Sequence, residues 1–221
     1  MKLRRRSVAM KQRIEIDRAV SRERVIRDME RYGSEVLDSQ EMQEAFHQTH
    51  HGWATVGEPS LRVTVTSLLI CYALKRMNIT VNIPAVVVGA LCHDLGMVGL
   101  RDKYDSLKEL NRAHPKESVQ VARELVEELP EETEEIIERH MWPAGDSQPP
   151  NSIEGVVVSV ADKYNSVKDI IKGSEVKHTG VKNVVRDRRE KLMEAILKDE
   201  EIDEIVEEVV EDIEERRGFE Q

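Results

Sequence analysis

The sequence predicts a mostly helical protein, and three observations support that fold class. Hydrophobic residues make up 39% of the 221 residues and charged residues 34%, with only two Phe and two Trp, so an aliphatic core must lie beneath charged helix faces. Apolar residues recur at spacings of three and four, most clearly between Ile153 and Ile171. Several segments also open with proline, which is favoured at the first position of a helix. We expect a single domain over residues 1–221, although this length would also allow two small ones.

Two helices are expected before the central part of the chain. Residues 8–31 form a polar pattern with apolar residues at helical spacing, and Gly33 is placed to end that helix. A second helix is expected over residues 34–46. The cluster of three histidines that follows is more typical of a capping or solvated loop than of a metal site, although His50 and His51 stay open as ligands.

The next two helices begin at prolines. Pro59 opens a segment with apolar residues through residues 58–77, whose length favours a helix over a strand. Pro84 opens a second, strongly apolar helix that leads to Asp94, and Gly96 is placed to stop it. No apolar run approaches the roughly 18 residues that a membrane-spanning helix needs, so we expect no membrane insertion.

A long charged loop is expected over residues 98–113. His114 ends this loop, because Pro115 disfavours helical geometry at the residue before it. A helix is then expected over residues 116–129, and a short helix that carries His140 follows. Loops of this length in compact domains are often functional.

The most apolar helix is expected over residues 153–171. Its predicted core-facing stripe consists of Ile153, Val157, Val160, Tyr164, Val167 and Ile171. Asp162 lies beside that stripe and needs a partner, because an unpaired buried charge costs roughly several kcal/mol. Residues 182–217 are expected to form charged helices whose acidic face, over residues 200–215, is either solvated or in contact with another chain.

Charge and cysteine content exclude some classes of protein. The net charge of −10 argues against binding to a nucleic-acid duplex or to an anionic membrane surface. Cys71 and Cys92 stand in apolar contexts that fit small core residues, and so few cysteines indicate a reducing, cytoplasmic setting. The basic residues 1–6 are not followed by the apolar stretch of an export signal.

Five residues with nitrogen or oxygen donors stand at helix ends or beside apolar helix faces: His93, Asp94, His114, His140 and Asp162. Such donors suit Mn, Fe, Co, Ni, Zn or Mg, and the lack of cysteine ligands weighs against a structural zinc site. Any one of these histidines alone is more often a core or surface residue. Their joint occurrence, with His93 and Asp94 adjacent, predicts a divalent-metal centre.

The order of these motifs resembles that of the HD-domain metal-dependent phosphohydrolase superfamily over about residues 48–170. The matching motifs are His51-Gly52, His93-Asp94 within residues 89–96, His114-Pro115, His140 within residues 139–143, and Ala161-Asp162-Lys163. The resemblance implies an all-α fold, a single HD-domain helical bundle with the metal site at its centre. Its core would cover about residues 48–171, with additional N-terminal helices over residues 8–46 and C-terminal helices over residues 182–217.

The resemblance also implies roles for individual residues. In that family's pattern, His93, Asp94 and Asp162 hold one ion, and Asp94 bridges to a second ion held by His114 and His140. One or two divalent ions would then activate water against a phosphate monoester or diester of a nucleotide or another small molecule. The catalytic residues implied are Asp94 and Lys163, and the substrate-binding residues implied are Arg62, Arg101, Lys103 and Arg139. For each basic residue taken alone, a solvated surface role is equally open.

The sequence departs from the family pattern at Pro59, which stands where the family has a histidine ahead of residues 60–63. A catalytically impaired relative that binds a metal or a nucleotide is therefore the alternative. Met97 and Met141 replace residues of the branch that cleaves cyclic di-GMP, which disfavours that substrate. A third interpretation is a helical interaction protein that uses its acidic C-terminal helices, and association of copies through helical faces is also open.

Overall fold

The structure is a computed structural model that describes residues 22–47, 49–50, 54–100, 104, 106–144 and 147–172. The described elements are α1 (residues 22–37), α2 (Gln40–His47), β1 (Thr49–His50), β2 (Ala54–Thr55), α3 (Gly57–Arg76), α4 (Ile83–Cys92), a 3₁₀ helix (Leu95–Met97), α5 (Leu107–Leu125), α6 (Glu131–Arg139) and α7 (Ile153–Lys172). The two short strands pair antiparallel beside the helices, and the predicted all-α fold is confirmed. The predicted helical segments over residues 8–21 and 182–217, and the predicted site residues Arg101 and Lys103, lie outside the described residues.

Gly33 lies inside α1, so the prediction that it ends a helix was wrong. A Cβ atom at Gly33 would lie 2.5 Å from Leu91 Cδ1 and 3.0 Å from Val87 Cγ1. The missing side chain therefore lets α1 approach α4 closely. The break between the first two helices comes at Ser39, whose Oγ accepts a hydrogen bond from Met42 N at 3.1 Å and caps α2.

The centre of the bundle is formed by α3 and α4. Thirteen of the 20 residues of α3 and eight of the 10 residues of α4 are buried, so both helices are surrounded by other parts of the protein on most sides. α3 packs against α4 and α7, and α4 packs against α6. The helices predicted to open at Pro59 and Pro84 are both confirmed, and Asn82 Oδ1 caps α4 by accepting a hydrogen bond from Ala85 N at 3.3 Å.

α4 ends at Cys92, before the predicted stop at Gly96. His93 and Asp94 form a turn that leads into the 3₁₀ helix, which contains Gly96. A Cβ atom at Gly96 would overlap the backbone nitrogen of Ser118. Gly96 is thus a close-packing position that brings the turn after α4 against the backbone of α5.

The predicted charged loop over residues 98–113 is wrong in its second half, because α5 begins directly after Ser106. Ser106 Oγ accepts a hydrogen bond from Glu109 N at 3.2 Å, which caps the helix, and donates one to Glu109 Oε2 at 3.1 Å. Pro115 lies inside α5, where it removes one backbone donor without ending the helix. His114 is therefore a helical residue rather than the end of a loop.

α7 covers the predicted range, and Ile153, Val157 and Val160 contact the core as predicted, but the inner face is rotated away from Val167 and toward Asp162. Val167, predicted to face the core, is 55% exposed, whereas Asp162 is buried on the inner face. Asn165 is buried one turn later, and its Nδ2 donates to Thr66 Oγ1 at 3.2 Å on α3. Apolar spacing alone could not predict how this largely apolar helix is rotated about its axis. The rotation is fixed by the hydrogen bond from Asn165 to Thr66 on α3.

The two cysteines lie in the core of the protein. Cys71 and Cys92 are free and buried, which confirms them as small core residues. Burial raises the pKa of each thiol to about 12. No helix in the described part of the chain is long and apolar enough to cross a membrane.

Candidate metal centre

Four helices bring the five predicted ligands together. His93 and Asp94 follow α4, His114 lies in α5, His140 follows α6, and Asp162 lies in α7. The three imidazole rings are buried, whereas 20% of the Asp94 side chain is exposed. Solvent therefore reaches the cluster along Asp94.

The three rings are oriented in the same way by the helices that carry them. Each Nδ1 lies near a backbone carbonyl oxygen three or four residues earlier, at 2.8 Å for His93, 2.7 Å for His140 and 3.3 Å for His114. Because a carbonyl oxygen only accepts, Nδ1 carries a proton in each ring, and Nε2 is the atom that remains to bind a second proton or an ion. Metal-binding histidines usually donate their second ring nitrogen in this manner, so all three rings are prepared to bind an ion.

Asp94, His114 and His140 form the tightest group of donors, with ligand atoms within 4.8 Å of one another. Asp94 Oδ1 lies 3.3 Å from His114 Nε2 and 3.5 Å from His140 Nε2, and the two Nε2 atoms are 3.1 Å apart. Two lone pairs at this separation repel unless a proton or a cation lies between them. Two nitrogens bound to one tetrahedral ion at about 2.1 Å are roughly 3.4 Å apart, so the spacing fits a shared ion.

His93 and Asp162 form the other half of the cluster. His93 Nε2 lies 3.4 Å from Asp94 Oδ2 and 3.6 Å from Asp162 Oδ1. Burial opposes a positive charge on His93, but the two carboxylates outweigh it and raise the pKa of His93 to about 10. A proton on Nε2 and a metal ion are therefore alternative occupants of this position.

Neighbouring charges keep the other ligands in the states that bind metal. Burial opposes ionisation of Asp94, but His93, His114 and His140 hold the pKa of its carboxyl well below the usual range. The pKa of Asp162 is also lowered against the effect of burial, mainly by His93. Burial lowers the pKa of His140, which favours the neutral ring.

Lys163 and Ser166 hold Asp162 in place. Lys163 Nζ donates to Asp162 Oδ2 at 2.7 Å, and Ser166 Oγ donates to Asp162 Oδ1 at 3.4 Å. Lys163 Nζ also donates to the backbone oxygen of His140 at 2.9 Å. The ammonium group thus ties α7 to the end of α6, which is a positioning contact, and the catalytic role of Lys163 stays a prediction.

The structure does not test the predicted roles of the remaining site residues. Arg62 lies half-buried in α3, and Arg139 contacts the loop that follows α6, so their phosphate-binding roles stay predictions. His47 is exposed at the end of α2, with Nδ1 2.7 Å from Gln43 O. The side chains of His50 and His51 lie outside the described part of the chain.

Two supporting serines were not predicted. Ser118 Oγ accepts a hydrogen bond from Gly96 N at 3.0 Å and links the 3₁₀ helix to α5, while Ser166 supports Asp162. Each serine stands four residues after a predicted ligand, His114 or Asp162. Spacing along one helix face is therefore the sequence signal that would have found them.

The family model of the HD domain matches residues 56–166, which are 111 of the 221 residues. Searches of curated proteins and of solved structures found no match. The matched segment begins just before α3 and ends in α7, and it contains all five clustered donors. The chain therefore belongs to the HD-domain family.

Proposed function

We propose that the protein is a metal-dependent phosphohydrolase that acts on a phosphate monoester or diester of a nucleotide or another small molecule. The observation that carries this proposal is the convergence of Asp94, His114 and His140, with His93 and Asp162 beside them. Membership of the HD-domain family supports it, because the family suggests a metal-dependent hydrolase. When bound, a divalent ion supplies Lewis-acid polarisation of a phosphoryl oxygen and acidification of water.

The first ion is proposed to lie between Asp94, His114 and His140. Two imidazoles and one carboxylate suit Mn, Fe, Co, Ni or Zn better than Mg, which prefers oxygen ligands. His93 and Asp162 would hold a second ion. The Asp94 carboxylate would serve both ions, because its Oδ1 lies nearest His114 and His140 and its Oδ2 lies nearest His93. The exposed edge of Asp94 gives the phosphate group its path to the cluster.

Lys163 is proposed to stabilise the charge that grows on the phosphate oxygens. An ammonium group has three N–H donors, and two of those of Lys163 are used by His140 O and Asp162 Oδ2. The third can reach a phosphate oxygen without disturbing the positioning contacts. Arg62, Arg101 and Lys103 are proposed as further phosphate-binding residues.

The test begins with metal content. Protein purified without chelators should contain a divalent transition metal, and phosphate esters should be hydrolysed with added Mn²⁺ or Co²⁺. Asp94→Asn should lose both metal and turnover, whereas Glu124→Gln, which changes an exposed carboxylate on α5, should keep both. The absence of bound metal and of turnover with every metal tried would overturn the proposal.

A second candidate is a catalytically impaired HD-domain protein that binds a metal or a nucleotide. The observation that favours it is Pro59, which stands in the first turn of α3 and offers no ligand atom. If this candidate is correct, Pro59→His should raise metal affinity or create turnover in an inactive protein. Turnover by the natural sequence would reject it.

A further inference from the structure

We propose that a cleft between α5 and the end of α6 binds a phosphate-bearing small molecule at a site separate from the metal centre. The cleft has a volume of about 430 Å³, and small-molecule sites commonly span roughly 300–1,000 Å³. Its walls are α5, the last turn of α6 and the loop that follows α6. None of the five clustered donors is among its lining residues.

The cleft carries more positive than negative charge. Among the described residues that line it, Arg112, Lys116 and Arg139 are basic and Glu138 is acidic. This local excess stands out in a chain whose net charge is −10. A concave surface with an excess of one sign of charge attracts ions of the opposite sign, so the preferred ligand is an anion.

Arg139 is held in position without a ligand. Its Nη1 donates to Pro149 O at 2.8 Å, and its Nε lies 3.5 Å from Glu135 Oε1. The adjoining loop is fixed by Asn151 N donating to Glu135 Oε1 at 2.7 Å and by Ser147 Oγ donating to Arg139 O at 3.3 Å. A guanidinium group has five N–H donors, so this one keeps donors for phosphate at little cost in conformational entropy.

The rest of the lining fits an uncharged ring attached to the phosphate. Pro115 and Met141 give apolar contact surface, and Asn111 and Gln148 offer amide donors and acceptors. A mixture of apolar surface and a few polar groups is typical of sites for small organic ligands. The cleft therefore favours a nucleoside phosphate or a similar phosphorylated ring compound over inorganic phosphate.

Three residues that line the cleft are sequence neighbours of two proposed metal ligands. Pro115 directly follows His114, and Arg139 and Met141 flank His140. The bound compound is then either the distal part of the substrate or a separate effector, and both have the same phosphate chemistry. Binding in the cleft does not require the proposed hydrolysis.

The test is calorimetric titration of the full chain with AMP, ATP and pyrophosphate in the presence of EDTA. Lys116→Glu should weaken binding of the nucleotides by roughly tenfold to a hundredfold, because it replaces a charge-assisted contact by repulsion. Lys108→Glu is the matched control, since Lys108 is also exposed on α5 but does not line the cleft. Equal weakening by both substitutions, or no binding of any of the three compounds, would overturn the proposal.

Asp94→Ala separates this proposal from the proposed function. The variant should lose metal and turnover but keep the affinity for nucleotide measured in EDTA, and loss of that affinity would place the ligand at the metal centre instead. Added Mn²⁺ then identifies the source of the ligand. A distal part of the substrate should bind more tightly with Mn²⁺ in the natural protein but not in Asp94→Ala, whereas an effector should bind equally in both.

Discussion

The two halves of the donor cluster share Asp94 but differ in charge. In one half a single carboxylate faces the Nε2 atoms of His114 and His140, which lie 3.1 Å apart. In the other half two carboxylates face one ring, and they raise the pKa of His93 to about 10. The first half needs a proton or a cation to relieve the contact between its nitrogens, whereas the second half holds its proton firmly because two carboxylates face His93. The number of carboxylates around a histidine ring therefore sets how tightly its Nε2 holds a proton, and so how readily that nitrogen can bind an ion.

The two halves are also built on different helices. Gly96 packs the turn after α4 against α5, which sets the distance from Asp94 to His114. Lys163 fixes Asp162 on α7 and also contacts the end of α6. Substitutions at these supports should therefore affect the two halves unequally.

Gly96→Ala should have the largest effect. The added methyl group would meet the backbone of α5, which cannot move away as a side-chain end can, and overpacking of this kind costs about 1–3 kcal/mol or more. We expect a lower free energy of unfolding in urea and loss of metal binding at the Asp94, His114 and His140 half. Ser118→Ala, which removes only the hydrogen bond to Gly96 N, should cost less, and an equal loss for both variants would contradict the steric explanation.

His114→Gln should separate the two halves most directly. Substituting a residue that only supports a ligand typically lowers metal affinity by roughly 10–100-fold. Removing a ligand itself should lower it further, so Co²⁺ affinity should fall by about 100-fold or more. His93→Gln should lower the affinity for the first ion by less, about tenfold, because it leaves the tightest donor group intact. Titration with Co²⁺, followed by its visible absorption, measures both. A larger loss for His93→Gln would show that the first ion binds at the half that contains His93 and Asp162.

Proton release should differ between the first and the second ion. The pKa of His93 is raised from 6.5 to about 10 without metal, so its ring is protonated at pH 7.5 and must lose that proton before its Nε2 binds an ion. The pKa values of His140 and Asp94 are lowered, so these groups need not lose a proton at that pH.

We therefore expect the second ion to release about one proton from His93, with affinity for that ion rising as pH rises toward 10. Calorimetry in two buffers of different ionisation enthalpy counts the protons. Release of the proton with the first ion would show that binding begins at His93 and Asp162.

Lys163→Met should have the smallest effect of the four. It removes the ion pair with Asp162 and the hydrogen bond to His140 O, which together stabilise the protein by roughly 1–3 kcal/mol. Binding of the second ion should weaken more than binding of the first. Lys163→Arg should restore part of the second-ion affinity, and a variant with unchanged affinity for both ions would show that Lys163 does not position Asp162.

Local signals in the sequence were sufficient for the central helices and for the ligand types. Pro59 and Pro84 lie in the first turns of α3 and α4, and the histidines and carboxylates stand beside apolar residues that must be buried. The start of α5 was missed although Ser106 caps the helix and Glu109 stands at the capping-box spacing, because the surrounding charge resembled a loop. In this segment the local capping signal predicts the structure better than the charged composition does.

Other features depend on contacts that no single segment carries. Gly33 and Gly96 look like helix stops in the sequence, but each is a place where two helices approach closely. The rotation of α7 is fixed by Asn165 bonding to Thr66 on α3, and the contact from Lys163 to His140 joins α7 to the end of α6. Such partners are set by tertiary packing and could not be read from periodicity.

The hydrogen bonds from each Nδ1 to its own helix should limit how far the candidate centre can adjust to different ions. Because the rings cannot turn freely, the distance between the Nε2 atoms of His114 and His140 is set by the packing of α5 against α6. Ions with bonds of about 2.0–2.2 Å would need only a small adjustment of these two rings. Calcium takes oxygen ligands, so a position formed by two imidazole nitrogens and one carboxylate should disfavour it.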